Sequence, residues 1–418
     1  MIKGKENLRC GLIGEHLSHS FSPEIHSRLA DYSYKLFEMA EDEVGHFLKS
    51  DAFDAVNVTI PYKKTVMPFL DEISDEARRI GSVNTVTRTE NGGLRGDNTD
   101  YYGFWRTVKE SGISIDGKNV LILGTGGASF TARTVSADMG ARKITLASRS
   151  GEINYGNLYE KCSDAQIVIN CTPVGMYPNN GASCVDLKKL PHCIGVIDMI
   201  YNPAKTKLLL DAERLGIKAC NGLTMLVAQA KKACELFVGE SIDDSEIDRI
   251  TKTIANEMGN IVLVGMPGCG KTTVASILAH LTGREMIDTD EMIAAATGRT
   301  PAEIIKSEGE EAFRTIEHEQ IVLVGKTSGR IISTGGGVVT RKENLDPLKQ
   351  NGKIFFIRRP IHLLSKKDRP LSQAIALEDM YRDRLPKYLE FCDHDVSNER
   401  SAEECAMEIL KLSGVSKK

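Results

Sequence analysis

Two phosphate-binding loops of different chemistry lie in one chain of 418 residues, each directly after a short apolar run. Asn119–Leu123 leads into Gly124-Thr125-Gly126-Gly127-Ala128-Ser129, a glycine turn of the dinucleotide type. Asn260–Val264 leads into Gly265-Met266-Pro267-Gly268-Cys269-Gly270-Lys271-Thr272, which meets the full G-x-x-x-x-G-K-[ST] pattern of a P-loop. Such loops work where a strand hands over to a helix, because main-chain N–H groups converge on phosphate at the helix N-terminus. The chain must therefore build two α/β nucleotide folds in tandem. The first loop points to hydride chemistry, the second to phosphoryl transfer.

Length allows about three units of roughly 150 residues, each with its own core. Hydrophobic content of 41% and charged content of 26% are those of a globular protein. A net charge of −4 gives no basic field for nucleic acid or an anionic membrane. The apolar runs are too short to span a bilayer, and the first residues lack the apolar core of a secretory signal. Ten cysteines without a C-x-x-C pair suggest free thiols in a reducing cytoplasm. Cys184, His192 and Cys193, like His16 with His19, lack the spacing of a zinc site and read as scattered loop and core residues.

Strand-like and helix-like stretches alternate throughout, the pattern of α/β domains with largely parallel sheets. Strands are expected at Leu8–Gly14, Ala55–Ile60, Asn119–Leu123, Lys143–Ala147, Ile167–Asn170, Gly195–Met199, Ile261–Val264 and Arg330–Thr334. Helices are expected at Pro23–Tyr32 and Leu223–Phe237. The apolar residues at 242, 247, 250 and 254 predict an amphipathic helix over Ile242–Asn256. The expected organisation is a two-part first half, residues 1–256, with a substrate part (about 1–103 plus 224–256) and a Rossmann-type dinucleotide part (about 104–223). Residues 257–260 are a short connector, and 261–418 form a P-loop domain with a parallel sheet.

In the first half, Gly124, Gly126, Gly127, Ala128 and Ser129 would face the dinucleotide, although Ser129 stands where the last glycine of G-x-G-x-x-G is usual. At the end of the next strand, NAD enzymes carry an acidic residue for the ribose. Ser148-Arg149-Ser150 stands there instead, a guanidinium and two hydroxyls suited to a 2′-phosphate, so NADP is expected. Polar residues gather at strand ends in Asn57-Val58-Thr59-Ile60-Pro61-Tyr62-Lys63, Ser82-Val83-Asn84-Thr85 and Gly96-Asp97-Asn98-Thr99-Asp100. A lysine beside a carboxylate can exchange a proton with a carbonyl or alkoxide while hydride moves at the same carbon.

These motifs occur in the order seen in shikimate dehydrogenases. So do His19-Ser20-Phe21-Ser22-Pro23, Asn170-Cys171-Thr172-Pro173-Val174-Gly175-Met176, Asp198-Met199-Ile200-Tyr201-Asn202-Pro203 and the Gly222–Ala230 stretch. Residues 8–256 resemble that family. The resemblance implies NADPH-dependent reduction of 3-dehydroshikimate, with Lys63 and Asp100 as the catalytic pair and Lys63 handling the proton. It further implies that Ser20, Ser22 and Tyr201 hold the substrate carboxylate, and that Thr59, Asn84, Asp100 and Gln229 hold its hydroxyls. Two features depart from the family: Gly151-Glu152-Ile153 lacks a second basic residue after Arg149, and Tyr101-Tyr102 is bulky enough to crowd the pocket mouth.

In the second half, Lys271 would reach the β- and γ-phosphates and Thr272 would ligate Mg²⁺. Gly265, Gly268, Gly270 and Thr273 complete the ATP contacts. Asp288 and Asp290 read as two carboxylates projecting from one strand edge, one serving hydrated Mg²⁺ and the other accepting a hydroxyl proton. Glu311-Ala312-Phe313-Arg314, Gly335-Gly336-Gly337, Arg369-Pro370-Leu371 and Arg384-Leu385-Pro386-Lys387-Tyr388 complete a set that resembles shikimate kinase over about residues 259–412. The resemblance implies that Arg314 and Arg384 clamp a carboxylate, Asp290 takes the proton, Gly336 and Gly337 contact the ring, and Arg369 steadies the transferring group. The stretch Leu363–Arg369 is short for a lid, and Lys366 is the nearest substitute for a missing arginine. Cys269, near a helix N-terminus, could react with thiol reagents or be a packed, inert residue.

The two resemblances explain one another, since the product of the first half is the substrate of the second. The short connector raises the expectation of direct transfer between them. Two other readings stay open. One is a ligand-sensing regulator built on inactive domains. The other is a quinate/shikimate dehydrogenase fused to a kinase. Small molecules are the expected partners, with oligomeric state open.

Overall fold

The computed structural model describes residues 6–17, 20–364 and 377–418. By contact, the chain divides into two units. One comprises Met1–Val174, Ser183–Tyr201 and Asp211–Lys252; the other comprises Gly175–Ala182, Asn202–Leu210 and Thr253–Lys418.

The first sheet holds β1 (Arg9–Gly14), β2 (Ser33–Glu38), β3 (Ala55–Val58), β4 (Glu72–Ile73), β5 (Thr85–Arg88) and β6 (Leu94–Asp97), in the order β2-β1-β3-β5-β6-β4. It is parallel over β2, β1 and β3, but β5 runs antiparallel to both β3 and β6. The polar motifs that end at Lys63 and Asp100 thus leave β3 and β6, with Ser82–Thr85 entering β5 between them.

The second sheet holds β7 (Asn119–Leu123), β8 (Lys143–Ala147), β9 (Ile167–Asn170), β10 (Gly195–Asp198) and β11 (Lys218–Cys220). Its order β11-β10-β9-β7-β8 is fully parallel and is the doubly wound 2-1-3-4-5 arrangement. Residues of β7 and β9 are buried along their whole length, as strands covered on both faces must be. The order reverses between β7 and β9, and ligands bind at such a switch point. The glycine turn lies there: a Cβ at Gly124 would meet Thr172, after β9, at 3.0 Å.

The third sheet is parallel as well, with β12 (Asn260–Val264), β13 (Met286–Asp288), β14 (Ile331–Ser333), β15 (Gly352–Arg358) and β16 (His394–Ser397) in the order β13-β14-β12-β15-β16. The P-loop leaves the central strand β12, flanked by the loops after β14 and β15. Val262, Leu263, Ile332, Phe355 and Val274 form its core.

Three sequence expectations move. The helix expected at Pro23–Tyr32 is Ser22–Leu29, since the backbone turns extended at Ala30. The last helix of the first half is Ser245–Met258, starting three residues later than its apolar pattern and taking in the first two residues of the expected connector. Only Gly259 separates it from β12. Asp290 lies in the helix Thr289–Thr297 instead of on a strand edge. The chain turns helical there because Asp288 caps it, its Oδ1 accepting the Asp290 N–H at 3.0 Å.

Candidate active sites

The first site forms where β3 and β6 end and β5 begins. Lys63 Nζ donates to Asp100 Oδ2 at 2.6 Å, both side chains partly open to solvent. Lys63 is fixed through its carbonyl, which accepts the Val83 N–H at 2.8 Å. Asp100 opens the helix Asp100–Ser111, where the helix dipole favours negative charge. Gly103 then lets that helix close on the helix Leu223–Val238, because a Cβ there would meet the Met225 carbonyl at 2.7 Å. This approach carries the turn of Asp100 onto the turn of Gln229, whose Nε2 donates to the Leu226 carbonyl.

Asn84 is buried and lashed to Thr99: its Oδ1 accepts the Thr99 N–H at 2.7 Å and its Nδ2 donates to Thr99 Oγ1 at 3.0 Å. Thr85 adds a hydroxyl on the same Oδ1 at 3.0 Å. Thr59 packs beside Gly14, whose Cβ would meet the Thr59 methyl at 2.7 Å. Ser20 and Ser22 are joined by an N–H to Oγ bond of 3.2 Å. Phe21 between them packs edge-on against Tyr201, ring centroids 5.9 Å apart. Burial pushes the Tyr201 phenol up, so it stays a hydrogen-bond donor. The structure thus pairs Lys63 with Asp100, and sets Phe21, between Ser20 and Ser22, against Tyr201.

At the switch point, a Cβ on Gly126 or Gly127 would meet nothing within 4 Å, leaving bare backbone at the start of the helix Gly127–Asp138. Ala128 follows in its first turn. Ser148, Arg149 and Ser150 follow β8, with Arg149 and Ser150 exposed. Open N–H groups with a nearby guanidinium fit a dinucleotide carrying an extra phosphate. Ser129 differs from expectation: it is fully buried and its hydroxyl donates inward to the Gly126 carbonyl at 2.6 Å, so its side chain tightens the turn. Tyr101 and Tyr102 bond to Asp138 and Asp244, at 2.8 and 2.7 Å.

The second site gathers on the P-loop. Gly268 and Gly270 take positive φ, 79° and 97°, and Gly265 lies at 154°. Lys271 is buried and donates to the carbonyls of Gly265 and Met266 at 2.9 and 3.2 Å. Thr272 Oγ1 donates to Asp288 Oδ2 at 3.1 Å, bringing together a hydroxyl and a carboxylate of the kind Mg²⁺ takes. Thr273 continues the first turn of the helix Lys271–Thr282. Asn398, after β16, donates to the Cys269 carbonyl at 2.7 Å and braces the loop. Cys269 is fully buried, which shields the thiol from reagents and favours the packed reading.

Beside the P-loop, the three glycines are a close-packed floor. A Cβ at Gly336 would meet Pro267 at 2.7 Å, and one at Gly337 would strike the Arg314 guanidinium. A Cβ at Gly335 would lie 3.0 Å from Asp290 Oδ1 and 2.8 Å from Glu317 Oε1. Arg314 donates to Glu317 at 2.7 Å and to Glu310 at 2.9 Å. Burial pushes the Glu317 carboxyl up against the pull of Arg314, and the nearby Asp290 adds to the rise. Arg384 Nη1 donates to the Gly336 carbonyl at 3.1 Å, and the buried Tyr388 hydroxyl donates to the same oxygen. Asp290, Arg314, Gly336, Gly337 and Arg384 therefore surround one spot. Arg369 and Lys366 lie outside the described residues. Thr99 and Tyr388 stand inside motifs of the sequence that gave them no role of their own, and Glu317 and Asn398 stand in none; Glu317 left a signal, three residues after Arg314 on one helix face.

Fold and sites define a chain with two nucleotide-dependent catalytic centres, one on a doubly wound dinucleotide sheet and one on a P-loop sheet. Residues 12–86 match the model of the shikimate dehydrogenase substrate binding domain, and residues 267–413 match that of shikimate kinase. A shikimate dehydrogenase (NADP(+)) of Clostridium beijerinckii is 39% identical over 265 residues, covering 59% of this chain and 98% of the relative. The crystal structure of shikimate dehydrogenase 1 from Peptoclostridium difficile is 40% identical with a TM-score of 0.54, covering 59% of this chain and 97% of its own. That of a chorismate mutase/shikimate 5-dehydrogenase fusion from Clostridium acetobutylicum is 36% identical with a TM-score of 0.55, covering 59% and 96%. The chain belongs to the shikimate dehydrogenase family and carries a shikimate kinase domain behind it.

Proposed function

We infer that the chain is a bifunctional enzyme of the shikimate pathway, reducing 3-dehydroshikimate to shikimate with NADPH and phosphorylating shikimate with ATP. The observations that carry the first activity are the Lys63–Asp100 pair at 2.6 Å and, in the same unit, an open dinucleotide turn. The second rests on the cluster of Asp290, Arg314 and Arg384 around glycines that abut the P-loop. No helix among the described residues is long and apolar enough to cross a membrane, and the substrates are small molecules.

Bound NADPH supplies the hydride for the first reaction. Lys63 gives a proton to the substrate carbonyl oxygen as that oxygen gains charge, and Asp100 holds the ammonium in line and accepts a neighbouring hydroxyl. Ser20, Ser22 and Tyr201 orient the carboxylate, with Thr59, Asn84 and Gln229 on the ring hydroxyls. Gly126, Gly127 and Ala128 would receive the pyrophosphate on main-chain N–H groups, with Gly124, whose own N–H is held by the Ala147 carbonyl, shaping the turn, and Ser148, Arg149 and Ser150 would take the 2′-phosphate.

ATP supplies the phosphoryl group for the second reaction. Asp290 accepts the proton of the attacking hydroxyl, Arg314 and Arg384 hold the carboxylate, and Gly336 and Gly337 lie under the ring. Lys271 would turn from the loop carbonyls toward phosphate oxygens, with Gly265, Gly268, Gly270 and Thr273 around them. Thr272 and Asp288 would hold Mg²⁺, which would neutralise charge on the phosphates. The cytoplasm is the fitting compartment for such cosubstrates.

The test is one incubation of the purified chain with 3-dehydroshikimate, NADPH and Mg-ATP, resolved by mass spectrometry. Shikimate 3-phosphate is expected. Shikimate alone would refute the kinase half, and unchanged substrate with a folded chain would favour a ligand-sensing role.

A further inference from the structure

We propose that Arg359 is a ligand of the nucleotide's phosphates in the P-loop site, a role that neither loop motif assigns; this rests on the kinase reading above. Arg359 directly follows β15, and the end of that strand packs on the P-loop: a Cβ at Gly265 would come within 2.7 Å of the Ile357 carbonyl. Arg359 Nη1 lies 3.6 Å from the place a Cβ on Gly270 would occupy, a place also 2.6 Å from Asn398 Nδ2. The guanidinium is therefore packed against the glycine that immediately precedes Lys271.

Its bonding is incomplete. Arg359 Nε is buried and has no hydrogen-bond partner among the described residues. The neighbouring Arg358 is paired with Asp395, whereas no carboxylate within ion-pair distance of Arg359 is found among the described residues. A guanidinium does not shed its proton, so a half-buried one with an unmet N–H is unfavourable until an anion meets it. Its planar fork suits two oxygens of one phosphate, and the adjoining loop is built to bind phosphate. Asn398 supports this placement, because its bond to the Cys269 carbonyl holds the loop at the point Arg359 touches.

The experiment compares the full chain with its Arg359→Met and Arg359→Lys variants by calorimetric titration with ADP and with inorganic tripolyphosphate. Shikimate titration checks the kinase fold, and the dehydrogenase rate checks protein concentration. Arg359→Met should weaken ADP and tripolyphosphate alike by roughly ten-fold or more, with shikimate affinity unchanged. Arg359→Lys should recover part of the loss, since a point charge replaces the fork. ADP affinity within two-fold of the parent in both variants would overturn the proposal. So would a loss confined to ADP, which would mean a contact with the nucleoside, or a parallel loss of shikimate binding, which would mean a structural role. Failure of the parent chain itself to bind ADP would instead remove the kinase reading.

Discussion

Lys63 and Asp100 are 37 positions apart, yet form one ion pair. Replacing Lys63 by Ala, or Asp100 by Asn, should lower dehydrogenase kcat/KM by about 100- to 10,000-fold, the usual weight of a positioned acid or base. The kinase rate of the same molecule should not change, which makes each chain its own folding control. Arg149 follows the same logic at the cofactor: Arg149→Ala should raise KM for NADPH roughly ten- to hundred-fold with little change for NADH, checked by initial rates with each. These residues were legible because the chemistry demands their types at motif positions. The role of Tyr388 was not, because its importance comes from what it touches. Nothing in the chain order says that residue 388 will donate to the carbonyl of residue 336.

At the scale of elements, glycine closes the packing in both halves. Gly337 underlies the Arg314 guanidinium, so Gly337→Ala must push that arginine aside. KM for shikimate in the kinase assay should rise at least ten-fold with the dehydrogenase untouched, measured by coupled ADP release. In the first half, His26 on the helix Ser22–Leu29 is stacked on Tyr34 at 4.2 Å and lies against Phe237 at 5.7 Å. Burial pushes its imidazole down to about 3, partly opposed by the nearby polar Asn57. The unfolded ring titrates near 6.5, so between these values the unfolded chain binds more protons and stability rises with pH. The helix's contribution is whole above about 6.5 and drains away as pH falls toward 3. Urea midpoints followed by the fluorescence of Trp105, the chain's single tryptophan, should fall over that window, and less so in His26→Phe. Helix and strand positions were mostly readable from period and caps. Two of the exceptions, Asp290 in a helix and the late start at Ser245, arose where a side chain of the turn itself took over the backbone: Asp288 accepts from Asp290, and Asp243 accepts the Ser245 N–H at 2.8 Å.

For the whole molecule, two activities on one chain make a complementation experiment available. Equimolar Lys63→Ala and Lys271→Met variants should together convert 3-dehydroshikimate to shikimate 3-phosphate, as neither does alone. Direct transfer, proposed from the short joint, predicts a shorter lag for the parent chain than for that mixture at equal site concentration; equal lags end the idea. By itself the sequence determined that there are two nucleotide folds, where each phosphate loop lies, and which cosubstrate each would take. It could do so because phosphate recognition is local: a strand, a glycine loop and a helix contiguous in the chain build the whole device. The tertiary structure alone decided which distant side chains share a pocket. It set Asn84 on Thr99, Arg314 over Gly337, Asn398 and Arg359 against Gly270, and turned Ser129 inward. Those contacts depend on the order in which parallel strands pair, and that order is fixed by burial of whole sheets, which no local stretch of residues encodes.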